Sequence, residues 1–462
     1  MSELRGMTIA PAPSWVADRF GVRVRAVPPA GEPTEPAQRT LDGLIRLALR
    51  RNPKRAQLLV STVLGKHLPT DPRVVIEAGS QLGRAVADRL DDAPAGERVP
   101  APVVLGFAET ATSLGHLVAD ALDAPVYLHS TRRRTGVPVV AGFEEVHSHA
   151  TGHLLCPDPA EPFVGLGEAP DPTPLVLVDD ELSTGATAMA LIRELHRLRP
   201  RTRYVLAGLV DLRGPADRDR LTALAAELGC RIDVVALARG TVELPRGLVD
   251  VVAAELGAAG SPSVAPAPAP APAKVTRVAV PWPAGLPQGG RHGFTAAHRA
   301  VADEAVTAAA AALRAVLPTE LPGSPHTVVV LGSEELMYVP LRLAQRLASD
   351  GEPGLRVLYQ STTRSPVHAV DRPGYPIRRS IPLPAFDPAD EVPRYVHNAG
   401  AGWDAGPADE RIAEADVVVL VVDAIDGAGR ADQAAAAIAG ATGAPVVLAV
   451  LQAERLERGA TR

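Results

Sequence analysis

Residues Leu175–Thr187 read LVLVDDELSTGAT, and the way this stretch folds sets the reading of the whole chain. Leu175 to Val178 predict a buried strand, Asp179 and Asp180 stand at its C-terminal end, and Ser183, Thr184, Gly185, Ala186 and Thr187 form a short loop that opens a helix. Ligands of open α/β sheets collect at the carboxyl ends of the strands. The loop brings backbone N–H groups and hydroxyls to a helix N-terminus, where the helix dipole favours an anion. Gly185 lets the backbone turn tightly and approach that anion. Two carboxylates beside such a cradle would repel the anion unless they bind something else. Sugar hydroxyls, and a Mg²⁺ shared with phosphate oxygens, meet that need.

Outward from this point the N-terminal part alternates strand-like and helix-like segments, the signature of an α/β domain with a mainly parallel sheet. Strands are expected at 19–27, 56–64, 99–109, 124–132, 173–180 and 203–212, and helices at 41–51, 77–90, 113–122 and after Asp180. The run AAGSPSVAPAPAPAPAK (258–274) has nothing to bury and reads as an extended linker. The expected division is a domain at 15–257, the Pro/Ala-rich linker at 258–274 and a second α/β domain at 275–462. Strands of the second are expected at 327–335, 355–364, 415–423 and 444–452. An internal repeat connects the two parts: VVLGFAE (103–109) with VVLGSEE (329–335), YLHSTR (127–132) with YQSTTR (359–364), and RFGV (19–22) with RHGF (291–294). The second domain therefore reads as a degenerate copy of the first fold. Its ADVVVLVVDAIDGAG (415–429) keeps Asp423 but has neither an adjacent second acid nor a hydroxyl-rich loop.

Composition narrows the function. The 462 residues carry 47 Lys+Arg against 53 Asp+Glu, a net charge of −6, which disfavours general nucleic-acid binding. Two cysteines, Cys156 and Cys230, exclude a disulfide framework and a four-cysteine zinc site. No run approaches the roughly 18 apolar residues needed to cross a bilayer, and the N-terminus lacks a signal-peptide core. The expected compartment is the cytoplasm, with no membrane partner.

The stretch at 175–187 resembles the phosphoribosyl-pyrophosphate (PRPP) motif of type I phosphoribosyltransferases. Residues NPKRAQLLVSTVLGKHLP, GFAETATSLG, FEEVHSHATGHLL and Thr363-Arg364-Ser365-Pro366 are similar to a narrower group. These are the phosphoribosyltransferase-like proteins of bacterial tellurium-resistance and stress clusters, which carry a C-terminal domain named TRSP. The resemblance implies a Mg²⁺-dependent transferase that uses PRPP to make, or in reverse phosphorolyse, a nucleotide-like product. Asp179 and Asp180 become the catalytic pair on the ribose hydroxyls, holding Mg²⁺ directly or through ribose or water. Ser183, Thr184, Gly185, Ala186 and Thr187 take the 5′-phosphate. Pyrophosphate falls to Gly106, Phe107, Ala108, Glu109 and Thr110, with Arg132, Arg133 and Lys66 as cations. Glu109 is a carboxylate where an anion should sit, and so calls for a Mg²⁺ or substrate-amine contact. Glu181 departs from the family pattern, where an aliphatic or small residue follows the acidic pair. His147, His149 and His153 alternate as if on one strand face, and with Arg364 and Ser365 they are the candidates for the acceptor pocket. The implied partners are PRPP and a nitrogenous base; self-association, docking of partner enzymes and a role as a PRPP sensor or scaffold stay open.

Overall fold

The computed structural model describes residues 14–52, 54–92, 99–133, 135–143, 152–158, 171–257, 274–317, 326–349, 354–399, 415–423 and 428–453. The N-terminal half starts with α1 (Trp15–Phe20), β1 (Arg23–Ala26), α2 (Thr34–Leu44) and the hairpin of β2 (Ile45–Leu49) and β3 (Gln57–Ser61). Then come α3 (Pro72–Asp91), β4 (Val103–Gly106), α4 (Thr112–Ala121), β5 (Val126–His129) and the small pair β6 (Ala141–Phe143) and β7 (His153–Leu155). It ends with β8 (Leu175–Leu182), α5 (Ala186–Leu198), β9 (Arg203–Asp211), α6 (Pro215–Leu228), β10 (Arg231–Glu243) and α7 (Leu248–Leu256). The C-terminal half runs through β11 (Val275–Trp282), a single 3-10 turn (Gly290–His292), β12 (Phe294–Thr295), α8 (Ala296–Arg314), β13 (His326–Gly332) and α9 (Tyr338–Ser349). It continues with β14 (Leu355–Ser361), β15 (Ser380–Leu383), β16 (Arg394–His397), β17 (Val417–Val422), α10 (Ala428–Thr442) and β18 (Val446–Ala453).

Each half builds one large sheet. The first has seven strands in the order β1-β10-β9-β8-β4-β5-β12, parallel from β10 to β5 with an antiparallel strand at each edge. The second has five parallel strands, β11-β18-β17-β13-β14. The continuous apolar runs of β8 (LVLV) and β17 (VVVLVV) are buried, as interior parallel strands with both faces covered require. The order β9-β8-β4-β5 in one sheet has the same sequence logic as β18-β17-β13-β14 in the other.

The halves interlock. Strand β12 of the C-terminal half pairs with β5, placing Phe294 opposite Tyr127. In return, Thr70 of the N-terminal half pairs with Tyr359 in β14 through N–H···O bonds of 2.9 and 2.8 Å. Each pairing segment leads directly into a helix cap: Asp71 caps α3 and Thr295 caps α8. A few residues upstream, Gly65 and Gly290 are equally reciprocal. A Cβ on Gly65 would strike the Tyr359 ring, and one on Gly290 the Tyr127 ring. These glycines open GKH (65–67) and GRH (290–292). By position, then, the counterpart of RHGF (291–294) precedes α3; RFGV (19–22) instead closes α1 and leads into β1. One apolar cluster draws on both halves, including Leu64, Leu117 and Tyr127 with Phe294, Leu336 and Tyr359. The expected linker falls almost wholly outside the described residues.

Two elements differ from the sequence reading: the strand expected at 19–27 covers only Arg23–Ala26, because Trp15–Phe20 forms α1 and Gly21 closes it in the left-handed region at φ 69°. A helix is expected over 41–51, but α2 stops at Leu44 and Ile45–Leu49 pairs antiparallel with Gln57–Ser61. The turn between them is set by Asn52, whose side chain accepts the Lys54 N–H at 2.8 Å. A hairpin partner across an Asx turn overrides the helix propensity of the leucines and alanine.

Candidate active site

Strands β4 and β8 are parallel neighbours with Gly106 level with Val178, so the turns that follow them open side by side. The Phe107 N–H donates to the Val178 carbonyl at 3.0 Å and ties the first turn to the second strand. At the end of β8, the Asp179 carboxylate accepts the Asp180 N–H at 2.9 Å. Burial, reinforced by the neighbouring Glu181 carboxylate, pushes the Asp180 carboxyl up to about 6. Gly185 lies in the left-handed region at φ 73° and starts α5 with no side-chain cap of its own. Thr184 Oγ1 accepts the Ala186 N–H at 3.3 Å. Ser183 to Thr187 are all part-exposed, so the loop's N–H and hydroxyl groups are within reach of a ligand. Glu181, the departure from the family pattern, pairs with Arg55 at 2.8 Å and pins the hairpin turn before β3 to the end of β8.

The β4 turn is held from β5 and β7. The Ala108 N–H donates to Ser130 Oγ at 2.9 Å; that hydroxyl also lies 2.9 Å from His153 Nδ1, and His153 Nε2 lies 3.0 Å from the Arg132 guanidinium. The Ala108–Glu109 peptide is cis. Phe107 is buried edge-on against Phe143, and Thr110 is part-exposed. Glu109 is buried between two cations, Lys66 Nζ at 3.4 Å and Arg364 Nε at 2.6 Å. Burial pushes its carboxyl upward, but Lys66, Arg364, Arg394 and Arg132 outweigh that and hold it at about 2. Lys66 is lowered by burial, against the pull of Glu109. His67 beside it is stacked on His397 at 5.7 Å and is held well below the usual range, first by burial and then by His397 and Lys66.

The residues expected to bind pyrophosphate thus part company. Lys66 and the 106–110 turn come together, and Arg132 is anchored on His153. The Arg133 guanidinium instead reaches into the C-terminal half, where it donates to Glu334 at 3.0 and 2.8 Å and lies 3.8 Å from Asp423. Of the acceptor candidates, Arg364 reaches the β4 turn, and the Ser365 N–H donates to Thr363 Oγ1 at 3.1 Å. His147 and His149 lie outside the described residues.

Two contributors are absent from the sequence reading. Arg55 belongs to RRNPKR (50–55), whose basic run was the available signal; in the same run, the Arg51 N–H donates to Pro366 at 2.9 Å and so ties the TRSP segment to the hairpin. Arg213, whose Cδ is 3.3 Å from where a Cβ of Gly185 would be, stands beside the loop that opens α5, fixed on Asp211 at 2.8 and 3.0 Å. Nothing local in the sequence points to Arg213, which reaches the loop from the neighbouring strand.

The equivalent strand ends of the C-terminal half are filled by ion pairs. Two residues past the position level with the glycine stands Asp180 in β8 and Asp423 after β17. Asp423 is 3.2 Å from Arg291, which also holds Glu335 at 2.5 Å; Thr131 Oγ1 donates to Glu335 at 2.8 Å, and Arg394 donates to Glu334 at 2.5 Å. All three acids are buried.

For a metal, no group of three or more His, Cys, Asp and Glu is arranged around one point among the described residues. The adjacent carboxylates of Asp179 and Asp180 are hard oxygen donors, and the raised Asp180 carboxyl gains from a nearby cation. They fit a Mg²⁺ that takes its other ligands from phosphate, sugar and water oxygens.

Residues 44–241 match the family described as "Phosphoribosyl transferase" and residues 288–436 the one described as "TRSP domain C terminus to PRTase_2". Among solved structures, adenine phosphoribosyltransferase from Rhodothermus marinus is similar at 20% identity, covering 43% of this chain and 97% of that one, with a TM-score of 0.29. The enzyme from Trypanosoma brucei, in complex with AMP, pyrophosphate and ribose-5-phosphate, is 16% identical, covering 43% of this chain and 78% of that one, with a TM-score of 0.30. No curated protein matches. No described helix is long and apolar enough to cross a membrane.

Proposed function

We propose, for a chain whose residues 44–241 belong to a phosphoribosyl transferase family and whose residues 288–436 are the TRSP domain that follows it, that the N-terminal strand ends bind Mg²⁺–PRPP and transfer phosphoribose to a nitrogenous base. The observation that carries this reading is the adjacency of two loops on neighbouring parallel strands. One is the glycine-started, part-exposed turn of α5 behind Asp179 and Asp180; the other is the β4 turn with its two cations.

In the forward direction the bond from the ribose C1 to the pyrophosphate oxygen breaks, and a bond from C1 to the acceptor nitrogen forms as that nitrogen loses its proton. The sugar needs little acid–base help; the demands are alignment of the nucleophile and stabilisation of the departing anion. Asp179 and Asp180 accept hydrogen bonds from the ribose hydroxyls and fix the ring. Ser183 to Thr187 hold the 5′-phosphate by N–H and hydroxyl donation. Lys66, Arg364 and the amides of the β4 turn receive pyrophosphate, and Arg132, steadied by His153, borders the same turn. Mg²⁺, when bound, neutralises phosphate charge beside the two aspartates. Ser365 is assigned to the acceptor side, and Arg133 to the contact between halves.

The matching strand order of the two sheets and the reciprocal GKH and GRH segments support descent of both halves from one phosphoribosyltransferase-like unit. The reading places the enzyme in the cytoplasm, in nucleotide-type metabolism of the stress-associated, tellurium-resistance kind that the family resemblance implies. Incubation with PRPP, Mg²⁺ and a panel of purines, pyrimidines and cell metabolites tests it, scored by pyrophosphate release and product mass. Base-dependent release is expected. PRPP binding without release for any acceptor would make the chain a sensor and contradict the transferase.

A further inference from the structure

The β4 turn carries a carboxylate at the place assigned to an anionic product. Glu109 is inside the protein, with a side chain only 6% exposed, and Lys66 beside it is 3% exposed. Its two cations come from different halves: Lys66 precedes α3, and Arg364 belongs to the TRSP segment after β14. Arg364 has a second anchor, since its Nη2 lies 3.0 Å from Asp390. Its guanidinium therefore stays seated whether or not Glu109 is in contact. Pyrophosphate cannot share Lys66 and Arg364 with a buried carboxylate a few ångströms away without strong like-charge repulsion.

We propose that Glu109 is an internal stand-in for pyrophosphate, occupying the Lys66–Arg364 cation pair until the ligand displaces it. The proposal rests on the assignment of the β4 turn to pyrophosphate made above. It accounts for a charge that otherwise opposes the binding of an anion. In the unliganded protein, the carboxylate satisfies Lys66, whose charge burial would otherwise leave uncompensated, and shares Arg364 with Asp390. It also makes the TRSP segment part of the site, because the contact broken on displacement is one between the halves. Affinity for pyrophosphate is then the intrinsic affinity of the cation pair reduced by the work of expelling Glu109.

The other half shows what a permanent version looks like. Glu335, the third residue after Gly332 as Glu109 is after Gly106, is held by Arg291 at 2.5 Å and by Thr131 at 2.8 Å. Arg291 is in turn shared with Asp423. There one cation, Arg291, serves two acids; at Glu109 two cations, Lys66 and Arg364, converge on one carboxylate, and Arg364 keeps Asp390 as well.

The test is calorimetric titration of the full chain with inorganic pyrophosphate in the presence of Mg²⁺, comparing wild type with Glu109→Gln. The variant keeps the shape and removes the competing charge, and is expected to bind pyrophosphate roughly tenfold more tightly. Unchanged or weaker pyrophosphate binding by Glu109→Gln overturns the proposal, because a carboxylate that contacts Mg²⁺ or an amine would be missed rather than gained from. If Glu109→Gln is not recovered folded, Glu109→Asp withdraws the carboxylate by one methylene and is expected to give a gain of about threefold; no gain there also overturns it. Ribose 5-phosphate is titrated in parallel as a separate probe of the β8–α5 loop. Its failure to bind counts against the proposed function, whereas the pyrophosphate comparison judges Glu109 alone.

Discussion

The two sheets share the strand order β9-β8-β4-β5 and β18-β17-β13-β14, and their strand ends are occupied differently. In the N-terminal half, the Asp180 carboxyl is pushed upward by burial and by Glu181, and the loop beyond it is glycine-started and part-exposed. In the C-terminal half, Asp423 occupies the corresponding position, but Arg291 and Arg133 neutralise it and Glu334, Glu335 and Arg394 complete a buried ion cluster. In the proposed reading the first arrangement takes a ligand; the second is neutralised by ion pairs within the protein. A few arginines therefore separate the proposed binding site from a structural junction, and two of the junction's contributors, Arg133 and Thr131, come from the opposite half.

The largest effect that can break this comparison is on stability. Glu335→Gln leaves Arg291 and its neighbours with excess buried positive charge and is expected to destabilise the chain by about 3 kcal/mol. Thermal or denaturant unfolding measures it, and a loss under about 1 kcal/mol would mean that the cluster is not a structural junction. Asp180→Asn should behave in the opposite sense. It removes a carboxylate that the fold tolerates poorly, so stability is kept while Mg²⁺–PRPP affinity or turnover falls at least tenfold, about 1.4 kcal/mol.

The pH dependence sharpens the same contrast. Asp180 titrates higher in the folded protein than in the unfolded chain. The ligand-free protein should therefore lose some stability from this group as pH rises from the ordinary carboxylate range to about 6. Binding runs the other way: the ionised form accepts the ribose hydroxyls, so PRPP affinity should fall as pH drops through about 6, and Asp180→Asn should flatten that step. Glu335 is held down to about 2, its burial outweighed by Arg291, His129 and Arg133, so its stabilising contribution is present above the ordinary carboxylate range and is lost as pH falls from there through about 2. A PRPP affinity that is flat between about pH 5 and 7 would contradict the role of Asp180. The smallest expected effect is that of Glu181→Gln. It loosens a partly exposed pair with Arg55 and should change PRPP affinity by about threefold or less, under about 1 kcal/mol, as seen in binding titrations.

Much of this was legible in the sequence because the signals are local. The run LVLVDDELSTGAT states strand, acids, turn and helix within one short stretch (175–187), and the structure places β8, Gly185 and α5 along it. The VVLG strands and the polar residues after them were recognisable in the same way. What was hidden depends on distant pairing. Ile45–Leu49 reads as helix until β3 is seen beside it. Arg133 follows the strand that borders the site, but its guanidinium is directed by Glu334, 201 residues away in the chain. The opposite held for Arg364, a TRSP residue brought to Glu109 across a separation of 255 residues. In the proposed repeat, RHGF (291–294) is matched with RFGV (19–22), whereas by position GRHGFT answers GKHLPT; the two share too few letters to stand out until both are seen to cross into the other half.

The stoichiometry of Mg²⁺–PRPP binding to the full chain, measured by calorimetry on wild type and on Asp180→Asn, probes the contrast between the halves at its root. One equivalent per chain, lost or weakened at least tenfold in the variant, is the result predicted. Two equivalents, none, or a single equivalent that Asp180→Asn leaves unchanged would contradict it.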